Sequence, residues 1–363
     1  MAGELAWKRA GQSGDQGRPG ETQADRSAGF LQAALSGNQG AFGMLTEPYR
    51  GELTSHCYRM LGSLQDAEDM VQETLLRAWR KLESFAGRAT LRAWLYKIAT
   101  NACLDELRRR PKRAFPPALR GPMIPGETPL PPVFDPIWLE PFPDELLAPR
   151  EHDPAARYES RESITLAFLS ALHTLAPRQR SVLILCDVLD WQANEVADLL
   201  DTSVASINSL LYRARSRMEA GYSVQTYQQI KASQVDPGTG KLLERYVQAW
   251  ETADVDSLVA LLSEDATFPM PPFPQWRQGR PAIRALVSNT ILAGEAAGRW
   301  LLKPVRANGT YGFAWYRLDE VSSSYHAFAI QVLTIRGDLI SDVTTFGFPN
   351  LFPHFGLPPE YTP

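Results

Sequence analysis

Residues 66–80 read DAEDMVQETLLRAWR, and the spacing of their apolar side chains decides the first element. Val71, Leu75, Ala78 and Leu82 recur at intervals of four, three and four, which is one stripe of an α-helix turned towards a core. Asp66, Asp69 and Glu73, with Gln72 beside them, fall on the other side. The helix therefore buries one face and offers a compact acidic and amide face outwards. On charge alone this reads equally well as a solvated helix face, since such faces are common.

Residues 90–110, TLRAWLYKIATNACLDELRRR, repeat the helical period. Leu91, Leu95, Ile98 and Ala102 form the stripe expected to be buried, and Trp94, Lys97, Asn101, Asp105 and Arg108 run along the opposite side. Arg88, Arg92, Arg109 and Arg110 add charge around it. A face mixing cations, an amide and an aromatic can neutralise phosphates and stack on unpaired bases. Trp94 taken alone reads equally as a half-buried packing residue. The net charge of −4 hides this asymmetry, because Arg77 to Arg113 holds eleven Lys or Arg against Glu83, Asp105 and Glu106. A nucleic-acid binder needs a positive surface, not a positive total.

The chain has 363 residues with a hydrophobic fraction of 44%, enough for two or three cores. Residues 1–26 are Gly-rich and polar and read as a disordered extension, followed by a helical domain over 27–112. Residues 111–160 hold 13 of the 28 prolines, which block helix, so 113–161 reads as a linker. Its Phe134, Ile137, Trp138, Leu139 and Phe142 call for an apolar surface, such as one on another domain. A second helical domain is expected over 162–222 and a third, mixed one over 237–363. No apolar run approaches the roughly 20 residues of a membrane span, and the N-terminus lacks a signal-peptide stretch, so a cytoplasmic protein is expected. Cys57, Cys103 and Cys186 fit no disulfide or metal spacing and read as single buried thiols.

Within the second helical domain, residues 192–200 form a short amphipathic helix with Val196, Leu199 and Leu200 inward. Asp201, Thr202 and Ser203 make a turn whose short polar side chains cap the next helix. The pattern restarts at Val204 with Ile207, Leu210 and Leu211 on its apolar side. Two short helices across a three-residue turn fit a helix-turn-helix, whose second member enters the major groove. Ser203, Ala205, Ser206, Asn208, Ser209 and Tyr212 suit base edges there, and Arg213, Arg215 and Arg217 suit phosphates. A helical hairpin with no DNA role remains the alternative for this segment alone.

The run DAEDMVQETLLRAWRKLESFAGRATLRAWLYKIATNACLDELRRR resembles the second conserved region of bacterial sigma factors of the extracytoplasmic-function group. APRQRSVLILCDVLDWQANEVADLLDTSVASINSLLYRARSRM, at residues 176–218, resembles their fourth conserved region. The resemblance implies that Asp66, Asp69, Gln72 and Glu73 meet the clamp of the largest polymerase subunit. Arg88, Arg92, Trp94, Lys97 and Asn101 would meet the melted −10 strand, with Arg108, Arg109 and Arg110 on its backbone. It further implies that the helix-turn-helix grips the −35 element and the flap of the second-largest subunit.

Residues 237–363 exceed what a minimal member of that group needs. Leu242, Leu243, Tyr246, Val247 and Trp250 share a helix face, and further helices are expected over 255–262 and 281–293. Strands follow over 301–307, 311–318, 325–334 and 339–346, with Gly337-Asp338 as a hairpin turn. The phrase YVQAWETADVDSLVALLSEDATF, together with the elements around it, resembles the SnoaL-like cone fold, also used by cyclases and small isomerases. The whole is thus expected to be multidomain, two all-α domains followed by an α+β cone. His326, Asp342, Asp254 and Asp265 are the acid–base candidates of such a cone. Asp254 and Asp265 are read near helix ends, as caps, and His326 reads equally as outward-facing. Trp276, Trp300, Trp315, Phe328 and Phe346 line a pocket or fill a core. The expectation is a non-catalytic tail that regulates the first two domains, with no catalytic residue, metal or cofactor, and with any small-molecule ligand unknown. The alternative is a SnoaL-like enzyme that its helical part recruits to DNA, and a third reading is a helix-turn-helix regulator that never binds polymerase.

Overall fold

A computed structural model describes residues 23–362 except 86–89, 110–112, 114, 125–126, 135–137, 148–163 and 222–236. Arg88, Arg110 and Ile137, and the extension up to residue 22, lie outside the described residues. The first helical part holds α1 (Gln23–Leu35), α2 (Gln39–Thr46), α3 (Arg50–Leu61), α4 (Leu64–Arg80) and α5 (Leu91–Arg109). Ser63 caps α4 by accepting from the Asp66 amide at 3.2 Å, and Val71, Leu75, Ala78 and Leu82 are all buried, as the stripe predicts.

Helix α5 departs from the expected pattern. Leu91 and Ile98 are half-buried, while Tyr96, Ala99, Thr100, Cys103 and Leu104 are buried along with Leu95 and Ala102. The cause is packing from two sides, since α5 contacts α3 and α4 and also the second helical part. That part comprises α6 (Leu166–Thr174), α7 (Pro177–Leu183, extended by a π-helical turn over Ile184–Val188), α8 (Ala193–Leu199) and α9 (Val204–Gly221). Both parts share one apolar cluster, from Ala34 and Leu53 through Leu95 and Cys103 to Ile184, Val196 and Ile207. Cys57 and Cys103, far apart in sequence, lie against each other as free thiols within it, and burial pushes the Cys103 thiol up.

The Pro-rich segment is seated rather than simply solvated. Trp138, Leu139 and Phe142 are buried, whereas Phe134 is 70% exposed. Gly62, left-handed at φ +75°, ends α3 at this point. A Cβ there would overlap Leu139 and stand 2.7 Å from His173 Cε1, so only glycine lets the segment and α6 close over the helix end.

The third part contains α10 (Pro237–Glu251), α11 (Val255–Ala260), α12 (Arg280–Leu286) and strands β1 (Leu262–Pro269), β2 (Trp276–Gln278), β3 (Trp300–Ala307), β4 (Thr310–Asp319), β5 (Ser324–Arg336), β6 (Leu339–Phe346) and β7 (Glu360–Tyr361). The sheet order is β2-β1-β6-β5-β4-β3, with β7 pairing on β5. It is mixed, because β1 runs parallel to β6. The helix expected to reach Leu262 ends at Ala260, and β1 begins two residues later.

Candidate polymerase and nucleic-acid interfaces

On α4, Asp69 and Gln72 are exposed and Glu73 is half-buried, accepting from Arg77 at 2.7 Å. Asp69 and Glu73 face α5 across a cavity of about 390 Å³, to which Met70, Asp105 and Arg109 also contribute. Asp66 stands apart. Its carboxylate is paired with Arg113, which also donates to the Trp138 carbonyl at 2.6 Å and reaches Glu140 at 3.4 Å. Both partners are nearly covered, with side-chain exposures of 13% and 8%.

The other predicted face, on α5, is occupied. Arg92 is ion-paired with Glu52 at 2.8 Å, and its guanidinium lies 5.0 Å from the ring centre of Tyr96 and 5.6 Å from that of Trp191. Trp191 packs on Tyr96 with ring centres 5.2 Å apart. Lys97 donates to Asp201 Oδ1 at 2.6 Å and to the Asp198 carbonyl at 3.1 Å. Trp94 is half-buried and rests on Phe85 at 5.1 Å, Asn101 is half-buried, and Arg108 and Arg109 are exposed. Beneath this face His56 bonds Thr100 Oγ1 at 2.9 Å, and burial lowers its pKa to about 3.

The seam between the helical parts is closed by Arg180, which is 1% exposed. Its guanidinium donates to the Met60 carbonyl at 2.5 Å and to the carbonyls of His173 and Leu175 at 3.2 and 3.4 Å. These carbonyls end α3 and α6, so one cation answers the negative ends of two helices. Burial still pushes its pKa down to about 10.

The second helix of the helix-turn-helix is open. Ser203 Oγ accepts from the Ser206 amide at 3.2 Å, as the turn chemistry predicts. Ser203, Ala205, Asn208, Ser209, Tyr212, Arg213, Arg215 and Arg217 are exposed and Ser206 half-buried, while Ile207 and Ala214 anchor the other side. Tyr212 reaches 74% exposure, and Arg215 is held by Asp187 through contacts of 3.0 and 2.6 Å.

The cone does not gather its acid–base candidates. Asp254 caps α11 by accepting from the Ser257 amide at 3.0 Å, as expected. Asp265 instead lies within β1, bonded to Ser263 at 2.7 Å, and so caps no helix. Asp342 is half-buried, with Thr267 and Thr344 donating to its carboxylate, and desolvation raises its pKa. His326 is exposed beside Ser322 and Ser324. Trp300 and Trp315 join Tyr246, Trp250 and Phe313 in one aromatic core. Phe328 is 38% exposed and Phe346 belongs to a separate cluster, so neither lines that interior.

The cone meets the Pro-rich segment at several points, among them Trp276 Nε1 on the Arg120 carbonyl at 2.9 Å and Gln275 on the Leu130 carbonyl at 3.0 Å. It reaches both helical parts through Asn308, at the β3–β4 turn, fully buried with φ +53°. Its Nδ2 donates to the Ile164 carbonyl at 2.7 Å and to Tyr58 Oη at 3.0 Å, and its Oδ1 accepts from the Phe142 amide at 3.0 Å. One amide thus joins α3, the Pro-rich segment and the entry to α6. Sequence reading missed Asn308 and Trp191. The Asn308-Gly309 pair signals a hairpin turn, though not its burial.

Comparison with known proteins accounts for all three parts. The model for Sigma-70 region 2 matches residues 45–113, that for Sigma-70 region 4 matches 165–218, and that for the SnoaL-like domain matches 243–343. This combination defines a sigma factor with a fused C-terminal domain. The ECF RNA polymerase sigma factor SigG of Mycobacterium tuberculosis is 44% identical over 322 residues, 88% of this chain and 85% of the relative. SigJ of the same organism is 32% identical over 223 residues, covering 61% and 62% of the two chains. The crystal structure of SigJ shares the fold at a TM-score of 0.55 and 24% identity, covering 85% of this chain and 97% of that one. The chain belongs to the ECF RNA polymerase sigma factors, which bind core polymerase and promoter DNA. Among the described residues no helix is long and apolar enough to cross a membrane, and no cluster of His, Cys, Asp or Glu is placed to hold a metal.

Proposed function

We propose that the chain directs core polymerase to promoters in the cytoplasm through three surfaces, with the cone as a regulatory, non-enzymatic tail. Asp69, Gln72 and Glu73 on α4 meet the clamp of the largest subunit, with Asp66 contributing less while Arg113 holds it. The exposed side of α9, from Ser203 to Arg215, reads the −35 element, and its domain meets the flap of the second-largest subunit. Arg92, Trp94, Lys97 and Asn101, with Arg88, Arg108 and Arg109, take the melted −10 strand. The working division is an N-terminal extension over 1–26, region 2 over 27–112, linker over 113–161, region 4 over 162–222 and cone over 237–363. The observation that carries this reading is the α9 face, where small polar residues, Tyr212 and three arginines stand in solvent beside a tight turn.

Transcription of fragmented genomic DNA by core polymerase, with mapping of RNA 5′ ends, tests the reading. Discrete starts that depend on the chain are expected, and their absence overturns it. Asp69→Ala with Glu73→Ala should abolish capture of core polymerase without unfolding the chain. Truncation after residue 222 should change transcript yield, and unchanged yield overturns a regulatory tail. The support for regulation is the Asn308 junction, which ties the cone to both helical parts.

A further inference from the structure

The −10 face on α5 already holds a ligand of the same chain. Lys97 Nζ has a carboxylate oxygen of Asp201 at 2.6 Å and the Asp198 carbonyl at 3.1 Å, the oxygen environment that a backbone phosphate would offer it. Trp191 packs on Tyr96 with the rings tilted by 52° and lies under the Arg92 guanidinium, so an aromatic group fills the place between aromatic and cationic side chains that an unpaired base would take. Asp190 and Asp201 both adopt left-handed backbone, at φ 56° and 50°, and so shape the two turns that present Trp191 and the carboxylate. Arg180 fixes the same parts together at the seam. The recognition helix takes no part in this contact and stays exposed.

We propose that the segment from Trp191 to Asp201 is an internal mimic of single-stranded DNA, which occupies the −10 face until region 4 swings away. In the closed chain α9 can read duplex DNA while α5 cannot take a melted strand. Strand capture is thereby confined to the state in which polymerase holds the two regions apart. This rests on assigning Arg92 and Lys97 to the melted strand.

The test uses the full chain and a fluorescein-labelled 15-nucleotide single strand of mixed sequence, read by anisotropy. Asp201→Asn removes the charge, and Asn tolerates the left-handed backbone. It should tighten binding about threefold, in line with one exposed ion pair. Trp191→Ala should tighten it about tenfold, the effect of one lost stacking contact. Carbodiimide should couple Lys97 to Asp201 in the parent chain, and added single strand should suppress that cross-link. Because Asp201 is exposed, Asp201→Asn does not threaten folding, and unchanged affinity in it and in Trp191→Ala overturns the proposal. A cross-link that persists at saturating single strand also overturns it. Lys97→Ala in the polymerase complex, read by permanganate reactivity at the promoter, separates the two levels. If promoter opening is impaired but the mimic variants do not tighten binding, only the mimic fails. If opening is intact, the −10 assignment fails and the mimic with it.

Discussion

Helix α9 leaves Ser203, Ala205, Asn208, Ser209, Tyr212 and Arg213 in solvent, whereas α5 has Arg92, Tyr96 and Lys97 against Trp191 and Asp201. Both helices carry polar and cationic side chains suited to nucleic acid. They differ in what lies opposite. Helix α9 packs on one side only, through Ile207 and Ala214, while α5 is enclosed between α3, α4 and the second helical part. A helix face suited to nucleic acid is therefore not the same as an available one. Availability is set by residues roughly a hundred positions away in sequence, as the Lys97 and Asp201 pair illustrates.

The largest expected effect comes from the junction that ties the cone to both helical parts. Asn308→Ala removes the partners of the Phe142 amide and the Ile164 carbonyl and one of the two bonds of the Tyr58 hydroxyl, which still donates to the Glu140 carbonyl, and places alanine at φ +53°. Buried groups left without partners cost about 1–3 kcal/mol each, with partial relaxation reducing the sum. A loss of about 3 kcal/mol in urea unfolding is expected, with no change in the exposure of α9. If the variant unfolds the cone alone and protects the α5 face as before, the junction does not control the covering.

Much of this contrast was legible and part of it was not. The α4 stripe and the turn at Asp201–Ser203 depend on neighbours within a few residues, and the structure keeps both. The second buried side of α5 depends on Trp191 and Arg180, and no local period encodes a partner that distant. The linker's Trp138, Leu139 and Phe142 announced a surface, but only the fold shows that it lies between α3, α6 and the β3–β4 turn. Strand β1 was missed because it follows α11 after one residue, where the helical pattern of Leu258 and Val259 runs on into Leu261 and Leu262. Asp265, read as a helix cap, fell on that strand for the same reason. Asp342 and Asp265 are the same residue type, yet desolvation raises the pKa of Asp342 while the Ser263 hydroxyl lowers that of Asp265.

Acid should act on the covered side first. His56, lowered from 6.5 to about 3, and His173, lowered by burial and by Arg180, are both neutral in the folded chain. The unfolded chain binds their protons from about pH 6.5, so stability is complete above that pH and falls as pH drops towards the folded value. Each histidine contributes a slope of about 1.4 kcal/mol per pH unit in that window. Urea unfolding at pH 7 and 5.5 should therefore differ by about 2.5 kcal/mol, and His56→Gln should roughly halve the difference. An equal slope after His56→Gln would place the acid-sensitive groups elsewhere.

The smallest effect lies within the open face and tests whether α9 is uniformly free. Among the described residues Arg213 donates only to the Ser209 carbonyl of its own helix, at 3.2 Å, whereas both Arg215 contacts go to the Asp187 carboxylate. A free guanidinium can displace a counterion from duplex DNA, while a paired one must first leave its carboxylate. Arg213→Ala should lower the slope of log affinity against log salt by about 0.9, the value of one phosphate contact. Arg215→Ala should lower it by less. Asp187→Asn should tighten duplex binding by a few-fold, because an exposed pair is worth at most about 1 kcal/mol. Anisotropy across a sodium chloride series, with a duplex carrying a mapped promoter, reads all three. Equal losses for Arg213→Ala and Arg215→Ala would mean that Asp187 releases Arg215 on binding, and the open face would then act as one surface.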